Sequence, residues 1–243
     1  MLPTNPTIAQ DHAPWARLRS ALAPACMMLA PLCLLAGEIL HPDRSTDPAR
    51  QVATVGNHAG AWYLSHLLLF IGVVLTVPVV LRLTHVVSDR SPRLAFLGGG
   101  LAGLGAICFA GLLTIGFVVW QMPAPGADQH QMAALFRRLF HAPGFIIPFE
   151  VLPLGFAVGM TMLSVGLRRA RIAARWSAIC IGTGAIGLSL VGLVPASAFA
   201  VAVSVAFAVG LVPLGLSALG VRASGDRANA STALPGQSDV IAG

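Results

Sequence analysis

Glu38 and Glu150 are the only glutamates among 243 residues, and both fall in apolar runs, LCLLAGEILHP and FIIPFEVLPLG. A carboxylate in hydrocarbon costs at least about 2.5 kcal/mol on the mildest insertion scales, so it is normally neutral, paired or metal-bound and marks a candidate site. Histidines accompany them: His41 follows Glu38 by three residues, His66 lies in WYLSHLLLF, and His141 precedes the run that holds Glu150. One chemistry is acid catalysis. Burial disfavours the charged form of a carboxyl group, so Glu38 or Glu150 could protonate an alkene or epoxide, with His66 or His141 handling the proton. Trp62, Tyr63, Phe70, Phe145 and Phe149 would then line an apolar pocket for a lipophilic substrate, and no cofactor is required. The alternative is ligation: Glu38, His41 and His66 offer the oxygen and nitrogen donors that suit zinc or iron, and Glu-x-x-His is the helical spacing of diiron carboxylate bundles. Haem on His66 belongs to the same alternative. A Glu–His hydrogen bond that merely clips helices together would use the same residues with no chemistry at all.

These residues need a membrane-spanning frame. The chain is 56% hydrophobic and 10% charged, with a mean hydropathy of +0.80; a soluble domain carries roughly 25% charged residues. Apolar runs of the length that crosses about 30 Å of hydrocarbon predict six spans: Ala21–Leu40, Trp62–Leu81, Leu94–Trp120, Phe145–Leu167, Trp176–Leu193 and Ala198–Gly220. The expected fold is an all-α polytopic bundle of six transmembrane helices plus a short outer interfacial helix. Residues 1–20 read as a cytoplasmic tail, 21–220 as the transmembrane domain and 221–243 as a disordered cytoplasmic tail. The first run is too long for a signal-peptide core and reads as an uncleaved span. All fifteen basic residues are arginine, and a sequence pI of about 10.4 argues for loop charges beside spans rather than for nucleic acid. Cys26, Cys33, Cys108 and Cys180 lie in spans without C-x-x-C spacing and read as packing residues.

With six spans both termini share one side. Arg17, Arg19, Arg82, Arg90, Arg93, Arg168, Arg169, Arg171, Arg175, Arg222 and Arg227 fall there, against Arg44, Arg50, Arg137 and Arg138 opposite, so the termini are assigned to the cytoplasm of a plasma-membrane protein. That orientation puts Glu38, His66 and Glu150 within roughly 4–8 Å of the outer boundary, at 1.5 Å rise per residue. Pro148 and Pro153 bracket Glu150 and predict a bend. In DQHQMAALFRRLFH, Met132, Leu135, Phe136, Leu139 and Phe140 form an amphipathic stripe behind an Asp128–Gln131 capping arrangement. Arg137 and Arg138 face away from the stripe and could meet lipid headgroups or an anionic substrate head. His58 and His130 read as solvated loop residues. Gly99-x-x-x-Gly103 and Gly155-x-x-x-Gly159 predict close helix approach, and the G-x-G-x-x-G at Gly98, Gly100 and Gly103 lies inside a span, where it packs rather than binds a dinucleotide.

GEILHP closing the first span and WYLSHLLLF opening the second, on this layout, resemble the small six-span bacterial integral membrane proteins of unknown function, over most of residues 21–220. The paired intramembrane acids and the chain length also resemble the small membrane terpene cyclases. That second resemblance implies an isoprenoid substrate, with Glu38 and Glu150 as the acids that start cyclisation, and carries over to no other residue. The expected partners are the bilayer and a lipophilic small molecule; the sequence leaves oligomeric state open.

Overall fold

The computed structural model describes residues 13–194 and 196–232, and every regular element among them is helical. In chain order these are α1 (Ala13–Leu40), α2 (Pro48–Asn57), α3 (Ala59–Ser88), α4 (Pro92–Gln121), α5 (Gln129–His141), α6 (Pro143–Ile146), a π turn (Ile147–Val151), α7 (Leu154–Arg169), α8 (Arg175–Leu190) and α9 (Ser197–Thr232). Five stretches are long and apolar enough to cross a membrane: Ala21–Leu40, Ala59–Ser88, Pro92–Gln121, Pro143–Arg169 and Ser197–Gly220. The sixth expected span corresponds to α8, whose 16 residues rise only about 24 Å. α9 runs on through Thr232, so the boundary placed at residue 221 falls inside a helix. The remainder of the two expected tails, 1–12 and 233–243, lies outside the described residues.

The long helices pack in a closed cycle, α1 on α3, α3 on α4, α4 on α7, α7 on α8, α8 on α9, and α9 back on α1. α8 is thus a full member of the bundle despite its length. Met160, Leu163, Ile181, Phe207 and Leu211 fill the interior with no solvent exposure. Most hydroxyl groups inside the apolar helices donate to carbonyls one turn back, as Thr76 does to Gly72 and Ser164 to Met160; buried Ser204 of α9 has no such partner among the described residues.

Close approach depends on glycines: Gly155 and Gly159 of α7 meet α4 as expected, whereas on α4 the register is one residue from that expected. On Gly99 a Cβ would meet Thr84 of α3, and on Gly103 it would meet nothing. The α4–α7 contact instead uses Gly98, Ala102 and Gly105: a Cβ on Gly105 would lie 2.8 Å from Phe156 Cα, and one on Gly159 would strike the Ala102 backbone nitrogen. The α1–α3 contact is reciprocal. A Cβ on Gly37 would lie 2.7 Å from Leu69 Cγ, and one on Gly72 2.8 Å from Leu34 Cγ. That contact brings Glu38 against α3.

One end of the bundle carries a cap. α2 was not expected from the sequence; Asp47 caps it through Arg50 N at 2.8 Å, and Pro48 occupies the first turn, where a missing N–H costs nothing. Its Val52 and Val55 join Trp62, Val119 and Met122 in a second buried cluster, flanked by Met132, Phe136 and Phe140 of α5. α5 is the amphipathic helix predicted, with Asp128 accepting from His130 N and Gln131 N. The stripe is turned onto α2 rather than left free, although Leu135 stays exposed.

Candidate functional site

His41 and His66 come together beneath this cap, and Glu38 lies buried at the end of α1 that leads to it. Glu38 occupies the last turn of α1 and is 5% exposed. Its partner is Arg44, whose Nη2 donates to Oε2 at 2.6 Å. The expected pairing of Glu38 and His41 on one helix face does not form: α1 ends at Leu40, and His41 begins the strap that leads to α2. Pro42 follows His41 and turns the chain, which carries Arg44 back over Glu38. The strap is held at several points, by Ser197 Oγ donating to Asp43 Oδ1 at 2.9 Å and by Ser45 N donating to Gln51 Oε1 at 2.6 Å. Gln51 is buried, and its Nε2 has no hydrogen-bond partner among the described residues.

The imidazoles are held in a common way. His66 Nδ1 lies 3.0 Å from the Trp62 carbonyl oxygen, and His41 Nδ1 lies 2.6 Å from that of Pro42. A carbonyl only accepts, so both rings carry a proton on Nδ1 and, when neutral, a lone pair on Nε2. Both bonds stay within a ring's own segment, so neither imidazole clips two helices together. Trp62 stacks on His66 with centroids 4.3 Å apart, and the His41 ring lies 5.0 Å from Trp62 and 5.1 Å from His66. Phe117 closes another side, 6.4 Å from His66. Gly116 of α4 makes the arrangement possible: its carbonyl accepts from Trp62 Nε1 at 2.8 Å, and any Cβ there would collide with His66 Cδ2 and Nε2. His41 is pushed down to about 3 by burial first, then by the Arg44 and His66 charges, against a smaller opposing pull from the Pro42 carbonyl. It is therefore a neutral imidazole throughout the physiological range.

The remaining candidates divide. Trp62 is buried and forms one wall of the site, whereas Tyr63 is 40% exposed and packs on Phe117 and Trp120. Glu150 belongs to the π turn, in which Leu152 N bonds back to Ile147 O at 3.0 Å; its side chain lies outside the described residues. The two prolines produce this break as expected, and Ser189 of α8 donates to the Pro153 carbonyl at 3.3 Å. The π turn packs on α4, α6 and α7, and Phe149 lies against Gly111, more than a turn along α4 from Gly116. His141 is exposed, with Nδ1 2.8 Å from the Arg137 carbonyl. Arg137, Arg138, His58 and His130 are exposed. Among the described residues no three His, Cys, Asp or Glu side chains converge as a ready metal-binding group.

Sequence reasoning treated Arg44 only as a topological charge and passed over Gln51 and Gly116. Arg44 had a signal: a helix-ending His-Pro two residues before it, which returns the chain toward Glu38.

The fold and site define a class, an apolar all-helical bundle with five helices able to cross a membrane and a capped polar site at one end. No protein-family model matches the chain, and no curated protein or solved structure is significantly similar to it.

Proposed function

We propose that this chain is a six-span plasma-membrane enzyme whose site, in the outer leaflet, acts on a lipophilic substrate bearing a hydroxyl group, isoprenoid alcohols being one such class. The helix cycle supports the sixth span, since α8 packs between α7 and α9 as the others pack on their neighbours. The arginine asymmetry supports cytoplasmic termini, and exposed Arg137 and Arg138 on α5 suit a helix that rests on lipid headgroups. Cysteines introduced at Arg50 and Arg90 test the topology: an impermeant maleimide should label only the first in intact cells.

The observation that carries the function is the pair of imidazoles. Each is fixed by its Nδ1 proton and offers an uncommitted Nε2 lone pair in an aromatic, apolar layer. A hydroxyl proton satisfies such an acceptor without adding charge. Glu38, ion-paired with Arg44, becomes the anionic half of a fixed pair rather than the acid. Glu150 keeps the acid role, because π turns recur at functional sites.

The test is organic extraction of the purified protein, followed by mass spectrometry of what co-purified. A hydroxyl-bearing lipophile present in the native protein and lost in His66→Ala and His41→Ala supports the reading. Glu150→Gln should retain that lipophile and accumulate it unreacted. Identical extracts from all proteins would overturn the reading. Stoichiometric zinc, iron or copper, lost with either histidine, would replace the hydroxyl by a metal ion, since carbonyl-anchored Nδ1 protons also orient metal-binding imidazoles.

A further inference from the structure

The opposite end of the bundle contains a cavity of about 320 Å³, between α1, α3, α7, α9 and the loop after α7. That is the low end of the range for ligand cavities, roughly 300–1,000 Å³. Met27, Leu83, Leu167 and Leu214 supply apolar wall, and Arg82 is the one charged residue in the lining. Arg82 is half-buried and makes no hydrogen bond or ion pair with any described residue. Ser217, also in the lining, gives its proton to the Pro213 carbonyl at 2.8 Å, so it has no donor left for an anion. The turns that close α3 and α7, residues 88–93 and 168–175, carry Arg90, Arg93, Arg168, Arg169, Arg171 and Arg175 with one acid between them, Asp89. An unpaired guanidinium in an apolar cleft draws an anion, and the walls beside it take a hydrocarbon chain.

We propose that this cavity is a binding site for an anionic phospholipid, whose phosphate pairs with Arg82 while one acyl chain lies between Leu83, Leu167 and Leu214. Basic clefts between transmembrane helices hold anionic head groups by the same combination of charge and hydrocarbon. The site is independent of the Glu38 end, which takes an uncharged group from the other leaflet.

Native mass spectrometry of the full-length protein, titrated with phosphatidylglycerol and with phosphatidylcholine of identical chains, tests this. One phosphatidylglycerol should bind roughly five- to tenfold tighter than phosphatidylcholine. Arg82→Gln should bring the two lipids level, Arg82→Lys should keep most of the preference, and Arg50→Gln, on α2 at the other end, should leave it unchanged. Leu214→Trp, which fills the cavity, should remove the tight adduct. Equal binding of the two lipids by the native protein, or an unchanged preference in Arg82→Gln, would overturn the site. Retention of the adduct in Leu214→Trp would move the lipid elsewhere and overturn it too, and displacement by equimolar oleate would replace the phospholipid by a fatty acid. If Leu214→Trp fails to fold, the Arg82 pair decides alone.

Discussion

The two ends of the bundle solve the problem of charge in different ways. At the capped end the polar groups of the site are matched: buried Glu38 holds Arg44, exposed Asp43 accepts from Ser197, and both imidazoles give their Nδ1 protons to carbonyls. At the other end Arg82 lines an open cavity without a partner among the described residues, and the turns that close α3 and α7 carry six arginines and one acid. The first end is built from mutual constraint and should lose stability when any member is removed. The second is built for something else to arrive, and its residues should matter little until it does.

The sharpest way to break that contrast is to delete one arginine at each end. Arg44→Ala strands a carboxylate that is 5% exposed, and breaking such a pair typically costs about 3–5 kcal/mol. Arg82→Ala in lipid-free detergent should cost about 0.5 kcal/mol or less, as most surface substitutions away from packed features do. Thermal unfolding of both variants measures the difference. Equal losses would mean that Arg82 has a structural partner after all.

Gly116→Ala comes next. The added methyl displaces the His66 ring and its Trp62 stack, and overpacking of this kind costs about 1–3 kcal/mol. The variant should lose the bound lipophile as fully as His66→Ala does, although every polar group remains. Gly103→Ala on the same helix meets open space and should change neither stability nor binding.

Acid should act on the capped end. The His41 value is pushed from 6.5 to about 3 in the folded chain, so the folded state disfavours the protonated ring. Its contribution to stability is complete above 6.5 and is lost progressively as pH falls toward 3. The charges that face it are Arg44 and, beyond the ring contact, His66, with Glu38 offsetting Arg44. His41→Gln should flatten the fall in melting temperature between pH 7 and 4, and an unchanged slope would assign the effect to another group.

These contrasts show why some of the molecule was legible in the sequence and some was not. Span positions follow from local composition, so α1, α3, α4 and α9 appear close to where hydropathy puts them, and Pro148 and Pro153 announce the break at Glu150. The Asp128 cap is equally local. Partnership is not local. Hydropathy says that Glu38 needs a partner but cannot separate Arg44 from His41, because the answer depends on where α1 stops and how Pro42 turns the chain. α2 was missed because PARQVATVGN is short and nearly balanced between apolar and polar residues, and becomes readable only when α3 to α5 supply the surface its valines cover. The glycine register slipped for the same reason: spacing of four is shared by Gly98–Ala102 and Gly99–Gly103, and only the neighbouring helix distinguishes them.

The smallest expected effect has the opposite sign and comes from the arginine end. α7 closes with Ala170 N bonding to Gly166 O and Ile172 N to Leu167 O, a termination that puts the intervening residue in the left-handed region. That residue is Arg171, at φ 58, the only described non-glycine residue with positive φ. A side chain in that conformation costs roughly 1–2 kcal/mol, and glycine is the residue that helix ends of this kind favour. Arg171→Gly relieves the strain but gives the unfolded chain more freedom, which returns part of the gain. The net should be a stabilisation of about 0.5 kcal/mol, read as a small rise in melting temperature in detergent. The capped end has no counterpart, since its turns carry no strained residue. Arg171 thus carries its charge against the local backbone preference. A fall in stability would instead mean that the Arg171 side chain contributes more through its contacts than its backbone costs.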